Sequence, residues 1–275
     1  MKQKRLKKVL WSILALFVAL VFLAPLYIAV VNSFKTQKGI YLDTLGLPGK
    51  LVFTLQNYVQ AFKDLNFFNS FLNSFLITTI STIIIIALSS MAAWKLVRTR
   101  TKISGVIFFM FAAAMLVPFQ AVMLPLVNLM GKIGFLNPPG LIFMYIGFGS
   151  SLSIIMYHGF IKGIPKELEE AAIIDGCSEF QVFWLIVFPL LKPITVTVSI
   201  LNVMWIWNDF LLPQLIINKP KWQTLPLKMF YFFGQYSKKW NLALAGLVLG
   251  MIPIVVFYFV AQKHIVKGVT QGSIK

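Results

Sequence analysis

VLWSILALFVALVFLAPLYIAVV, residues 9–31, runs without one charged side chain over a length that crosses a bilayer, for which about 20 apolar residues suffice. Lys2, Lys4, Arg5, Lys7 and Lys8 stand directly before it. A secretory signal has the same polarity, but its apolar part is shorter and ends at a small-residue cleavage site. The run therefore reads as a first membrane helix that stays. Five further blocks have comparable length and polarity: 71–94, 103–127, 141–160, 184–212 and 242–262. The expected fold is an all-α polytopic membrane protein, one domain over 1–275 with about six transmembrane helices.

Composition agrees. Of 275 residues, 59% are hydrophobic and 12% charged, where soluble domains carry about a quarter charged residues. The formal net charge of +17 raises the possibility of nucleic acid. The basic residues lie between apolar blocks rather than along one stripe, so they flank a membrane, and lipid rather than nucleic acid is the expected partner. Cys177 is the one cysteine, so no intrachain disulfide forms, and no Cys/His cluster offers a metal site. His158 and His264 sit near block borders without a nucleophile beside them, and no catalytic residue is expected.

Orientation follows from the short loops. All three arginines, Arg5, Arg98 and Arg100, fall on the side of the N-terminus, which places both termini, the loop near Arg98 and residues 161–183 in the cytoplasm. The outward segments are then 32–70, 128–140 and 213–241. The last is aromatic, with Trp222, Tyr231, Phe232, Phe233, Tyr236 and Trp240, either an interfacial belt or a docking surface. Prolines inside several blocks, among them Pro118, Pro125, Pro189, Pro193 and Pro253, predict kinked helices around a cavity.

One cytoplasmic segment breaks the charge rule. Five of the eight acidic residues, Glu167, Glu169, Glu170, Asp175 and Glu179, fall within it. Locally it reads as helix, turn, helix. Pro165 suits a first helical position, Gly176 a left-handed stop, and Ser178 with Gln181 a capping box. Leu168, Ala171 and Ala172 give a narrow small-residue face, with Glu169, Glu170 and Ile173 around it, that another protein could approach closely, the carboxylates meeting basic groups there.

The string EAAIIDG, residues 170–176, within IPKELEEAAIIDGCSEFQVFWLIVFPLLKP, residues 164–193, resembles the EAA loop of binding-protein-dependent ABC importer permeases. The match is to the sugar-uptake branch, the maltose-type MalG-like subunits. WNDFLLP at 207–213, LVPFQAVMLPL at 116–126 and the tail VKGVTQGSIK at 266–275 are similar too. The resemblance implies that this loop is a coupling helix seated in a cytoplasmic ATPase, with Glu170, Ala171, Ala172, Asp175 and Gly176 carrying the contact. It implies four partners: a homologous second permease, two cytoplasmic ATP-binding subunits and an extracytoplasmic solute-binding protein. No phosphate loop of the Gly-x-x-x-x-Gly-Lys-Ser/Thr type is present, so no cofactor is expected in this chain, with ATP and Mg held by the partner ATPase.

For the substrate path, Thr195, Ser199, Asn202 and Asp209 recur at helical spacing with Trp205 beside them. Asn202, Trp205, Asn208 and Asp209, together with Gln120, are the candidate path residues, since hydroxyls need hydrogen-bond partners and sugar faces pack on aromatic rings. Ser74, Thr78, Ser81 and Thr82 read as helix-packing residues. The expected function is a permease subunit importing a sugar or oligosaccharide across a prokaryotic plasma membrane. The alternatives are an importer for glycerol phosphate or a polyol, and an ion-coupled secondary transporter; the latter calls for paired intramembrane carboxylates, whereas Asp209 stands alone.

Overall fold

The computed structural model describes the backbone of residues 2–50, 52–232 and 239–272, with side chains over 7–50, 52–232 and 239–259. Phe233, Tyr236, His264 and the tail side chains named above lie outside the described residues. In chain order the helices are α1 (Lys2–Ser33), α2 (Gln37–Leu42), α3 (Gln56–Asp64), α4 (Phe67–Arg98), α5 (Lys102–Ala114), α6 (Phe119–Lys132) and α7 (Pro138–Ile161). Then come α8 (Glu167–Ile174), α9 (Glu179–Gln181), a π-helical turn (Val182–Val187), α10 (Phe188–Leu190) and α11 (Lys192–Asn208). The last are α12 (Leu211–Ile216), α13 (Leu225–Phe230) and α14 (Trp240–Gly272).

Four helices are long and apolar enough to cross a membrane, and two bent pairs bring the number to six if each is one span. The bends correct the picture of merely kinked spans. The third block is broken, α5 and α6 meeting at 101° across residues 115–118. Pro118 stands at the N-cap of α6 in an extended conformation, where the chain cannot continue α5 because proline offers no N–H and disfavours helix in the residue before it. The fifth block bends by 79° between Leu190 and Lys192, with Pro193 in the first turn of α11. Pro125 runs through α6 without such a break.

The chain divides into two compact units, Met1–Phe68 with Lys228–Pro253 and Asn69–Leu227 with Ile254–Lys275. In the first, α1 is apolar around its whole circumference and almost wholly exposed, the pattern of a helix made for lipid or a partner helix. The segment expected as an outward loop after it is built structure: α2 and α3 plus an antiparallel bridge between Lys35 and Phe53. Lys35 is 1% exposed and donates from Nζ to the Asp43 carbonyl at 2.6 Å. Asn57 Nδ2 donates to the carbonyls of Ser33 and Lys35, and its Oδ1 accepts from Asn241 Nδ2. Such pairing is what lets these polar groups stay buried.

The second unit is organised along α4, whose inward seam alternates Ser74, Thr78, Ser81, Ser89 and Ser90 with Ile77, Ile85 and Ala93, all buried. Small hydroxyl residues there allow close helix approach. One apolar cluster joins Ala93 and Val97 to Tyr157, Ile161, Ala172, Phe183 and Leu191. A second, further back along α4, joins Ile77 and Ile85 to Met130, Met144, Tyr145, Ile206 and Ile216.

Candidate functional site

The acidic loop closes as its sequence requires. α8 ends at Gly176, which adopts φ of +88°, while Cys177 N–H donates to Ala172 O and Gly176 N–H to Ile173 O, both at 3.0 Å. That pair of bonds is a Schellman stop, and the positive φ is why the turn takes glycine. Ser178 and Gln181 then form the expected capping box. The start differs from expectation. Lys166 O is the first helical acceptor, taking the N–H groups of Glu169 and Glu170, so Pro165 precedes the helix instead of opening it.

Two of the five carboxylates tie the loop to α4. Glu169 is buried and accepts from Arg98 Nη2 at 2.6 Å, Arg98 Nε at 2.9 Å and Trp94 Nε1 at 3.0 Å. Arg98 Nη2 also donates to Ile164 O at 3.0 Å, so one guanidinium clamps both ends of the segment that leads into α8. Glu179 pairs with Lys95 at 2.7 Å at the surface. Both carboxylates serve the chain's own fold. Of the residues expected to carry the ATPase contact, Glu170, Ala171, Asp175 and Gly176 are exposed, but Ala172 is buried in the cluster with Ala93 and Phe183. The expected face of Leu168, Ala171 and Ala172 is therefore split, Leu168 and Ala171 outside and Ala172 inside, because adjacent helical residues point about 100° apart. What the sequence reading did not single out is Ile174, 85% exposed, and Phe180, also exposed, which with exposed Leu168 and Ile173 make the loop's outer surface apolar.

The second feature is an open cavity of about 860 Å³ within the second unit. Phe119, Met130, Phe148, Ser151, Asn202 and Trp205 are among the residues that line it, and its lining contains no ionisable side chain. Asn202 is held by donating to Ser153 Oγ at 3.1 Å and Val198 O at 2.9 Å. Trp205 is 42% exposed and packs edge-on against Tyr145 at 5.4 Å.

The remaining path candidates lie outside that lining. Gln120 is exposed on α6. Asn208 turns back on its own helix, donating to Met204 O at 2.7 Å. Asp209 has left the helix, with ψ of 130°, and accepts from Tyr145 Oη at 2.9 Å and Leu211 N–H at 3.0 Å. Ser199 donates to Thr195 O and Tyr157 to Thr195 Oγ1, so the upper part of the polar stripe is consumed internally. Phe119, Met130 and Phe148 had no distinguishing signal, since apolar residues in spans look alike whether they face core, lipid or cavity.

Residues 85–271 match the protein family described as "Binding-protein-dependent transport system inner membrane component". The chain is 48% identical, over the full length of both proteins, to the "Probable starch degradation products transport system permease protein AmyC" of Thermoanaerobacterium thermosulfurigenes. It is 34% identical over the full length of both to the "Multiple sugar-binding transport system permease protein MsmG" of Streptococcus mutans. To the "Melibiose/raffinose/stachyose import permease protein MelC" of Bacillus subtilis it is 35% identical, over 96% of this chain and 95% of that one. Its fold is similar to a chain of a bacterial ABC transporter that imports alginate, with a TM-score of 0.84 at 22% identity, covering 96% of this chain and 98% of the other.

Proposed function

The chain belongs to the family of binding-protein-dependent transport system inner membrane components, and from that premise we propose that it is the permease subunit of an ABC importer that brings a neutral sugar or oligosaccharide into the cytoplasm. The relatives' named substrates, starch degradation products and melibiose, raffinose and stachyose among them, support the solute class. The uncharged cavity supports it against glycerol phosphate, whose phosphate calls for arginine or lysine.

The observation that carries the reading is the acidic helix–turn–helix clamped to α4 through Glu169 and Arg98. A loop fixed to a spanning helix transmits displacement, where a loose one absorbs it. Its exposed surface, Glu170, Ala171, Asp175 and Gly176 flanked by Ile173 and Ile174, meets a cytoplasmic ATPase subunit, with Ala172 setting the packing beneath. Two such ATPases hold ATP and Mg, and this chain supplies no catalytic residue. A second, homologous permease covers the open side of the cavity, and an extracytoplasmic solute-binding protein delivers the sugar. Asn202 and Trp205 border the path, while Gln120, Asn208 and Asp209 act near it. Both termini lie in the cytoplasm. Closing of the ATPase pair turns an inward-open cavity outward, and reopening releases the sugar inside.

The test is ATP-dependent uptake in proteoliposomes holding the complex co-purified with its ATPase, comparing wild type with Gly176→Pro. Proline cannot adopt a φ of +88°, so the turn is lost while the cavity is untouched. Uptake should collapse while the external receptor still binds sugar. Full-rate uptake, or uptake with no ATPase present, would refute the importer reading.

A further inference from the structure

A second cavity, of about 660 Å³, opens where α4 ends, α5 begins and α7 ends. Arg98, Arg100, Lys162 and His158 bring basic groups to its wall, with Thr99 and Thr101 between them. Nothing in the transport reading uses it. Arg98 is committed to Glu169 and Ile164, and the His158 ring stacks on Phe108 at 3.9 Å. Arg100 and Lys162 are different: neither makes an ion pair or a side-chain hydrogen bond among the described residues, and no acidic side chain lines the cavity. Two uncommitted cations converge on a hollow that takes a tetrahedral anion, with arginine offering the fork geometry that suits phosphate.

We propose that this cavity binds the headgroup of an anionic phospholipid. Phosphate chemistry alone is shared by a lipid headgroup and by a free anion, and the adjoining surface chooses between them. Ile103, Val106 and Met110 stand exposed on α5 at spacings of three and four, forming one apolar stripe that starts level with the cavity. Gly105 and Phe108, on the neighbouring face of the same helix, line the cavity itself. A charged hollow continuous with an apolar stripe fits an amphiphile, headgroup in the hollow and acyl chain along α5. A soluble anion has no use for the stripe. Gly105 leaves the space open, with no atom within 4 Å of where a Cβ would stand.

The experiment extracts the full chain with its companion subunits from vesicles of phosphatidylcholine mixed with phosphatidylglycerol, and counts retained phosphatidylglycerol by native mass spectrometry. Wild type should retain phosphatidylglycerol selectively over phosphatidylcholine. Arg100→Gln and Lys162→Gln should each weaken that retention about fivefold, the loss expected for one basic residue near an anionic surface, and together by roughly 25-fold. Gly105→Leu should weaken it with every charge intact, and the charge-preserving pair Arg100→Lys with Lys162→Arg should restore most of it. The proposal is overturned if the double glutamine variant retains phosphatidylglycerol as wild type does. It is equally overturned if inorganic phosphate displaces the lipid at concentrations that leave the glutamine variants unaffected, which would make the site one for a soluble anion. Loss of the ATPase from the purified double variant, with lipid retention unchanged, would instead make this a protein contact and sink the lipid assignment.

Discussion

Arg98→Met should undock the acidic loop, and the size of the effect separates a working clamp from an ornamental one. The substitution leaves the Glu169 carboxylate, which is 7% exposed, with Trp94 as its one described side-chain donor, and frees Ile164 O as well. Removing one partner of a buried, hydrogen-bonded ion pair costs about 3–5 kcal/mol. If that cost falls on the docked state, the opening equilibrium of the loop shifts by roughly 150- to 5,000-fold, and amide exchange across residues 167–187 quickens by the same factor. Lys95→Met provides the scale. Its pair with Glu179 has both side chains more than half exposed, and such pairs are worth about 0.2–1 kcal/mol, so exchange should rise only a few-fold. The double variant Arg98→Met with Glu169→Leu closes the cycle. Two packed apolar groups in place of a buried ion pair are often neutral, so exchange should return toward the wild-type rate. Equal effects of Arg98→Met and Lys95→Met on exchange would refute the reasoning, as would a double variant that behaved as the sum of its parts.

Gly149→Ala places a Cβ 2.6 Å from Ile85 Cδ1 and 2.7 Å from Asn202 Oδ1, so it should destabilise the detergent-extracted chain by about 1–3 kcal/mol, read as a lowered Tm. Tyr145→Phe removes the hydroxyl that donates to Asp209, a bond to a charged group worth about 1.5–3 kcal/mol; thermal melting should detect the loss, and Asp209→Asn in the same background should add little. Trp205→Ala takes an aromatic face from the cavity and should raise the KM for sugar uptake roughly two- to tenfold, whereas Gln120→Ala, outside the lining, should raise it less than Trp205→Ala does.

The helical blocks were readable because apolar length is a property of the chain alone. The loop's stop was readable too, because a left-handed turn after an amphipathic run selects glycine, and Gly176 is there. What was not readable depends on partners distant in sequence. Nothing in the string ELEEAAIIDG says that its second carboxylate meets an arginine 71 residues earlier while the third faces outward. The helical face traced from Thr195 through Asn202 was sound within α11, but it was extended past Asn208, where the backbone leaves the helix. Pro118 and Pro125 look alike in sequence, yet one caps the start of α6 and the other sits inside it, because neighbouring structure decides which proline is tolerated.

The π-helical turn at Val182–Val187 has a consequence for insertions and deletions. It lies just ahead of Pro189, whose ring displaces the carbonyl four residues back, and a π turn is in effect an α-helix carrying one surplus residue. Removing a single residue within 182–187 therefore need not break the helix; it lets the turn relax to ordinary winding. Because the surplus residue is taken up inside the turn, everything beyond would keep its facing. Asn202 would still meet Ser153 and Trp205 the cavity, whereas one residue added within the regular winding of α11 ahead of them would turn both by about 100°. The π turn is thus slack in the chain, able to give up one residue without changing which side chains beyond it face the cavity, a tolerance that the regular winding of α11 lacks.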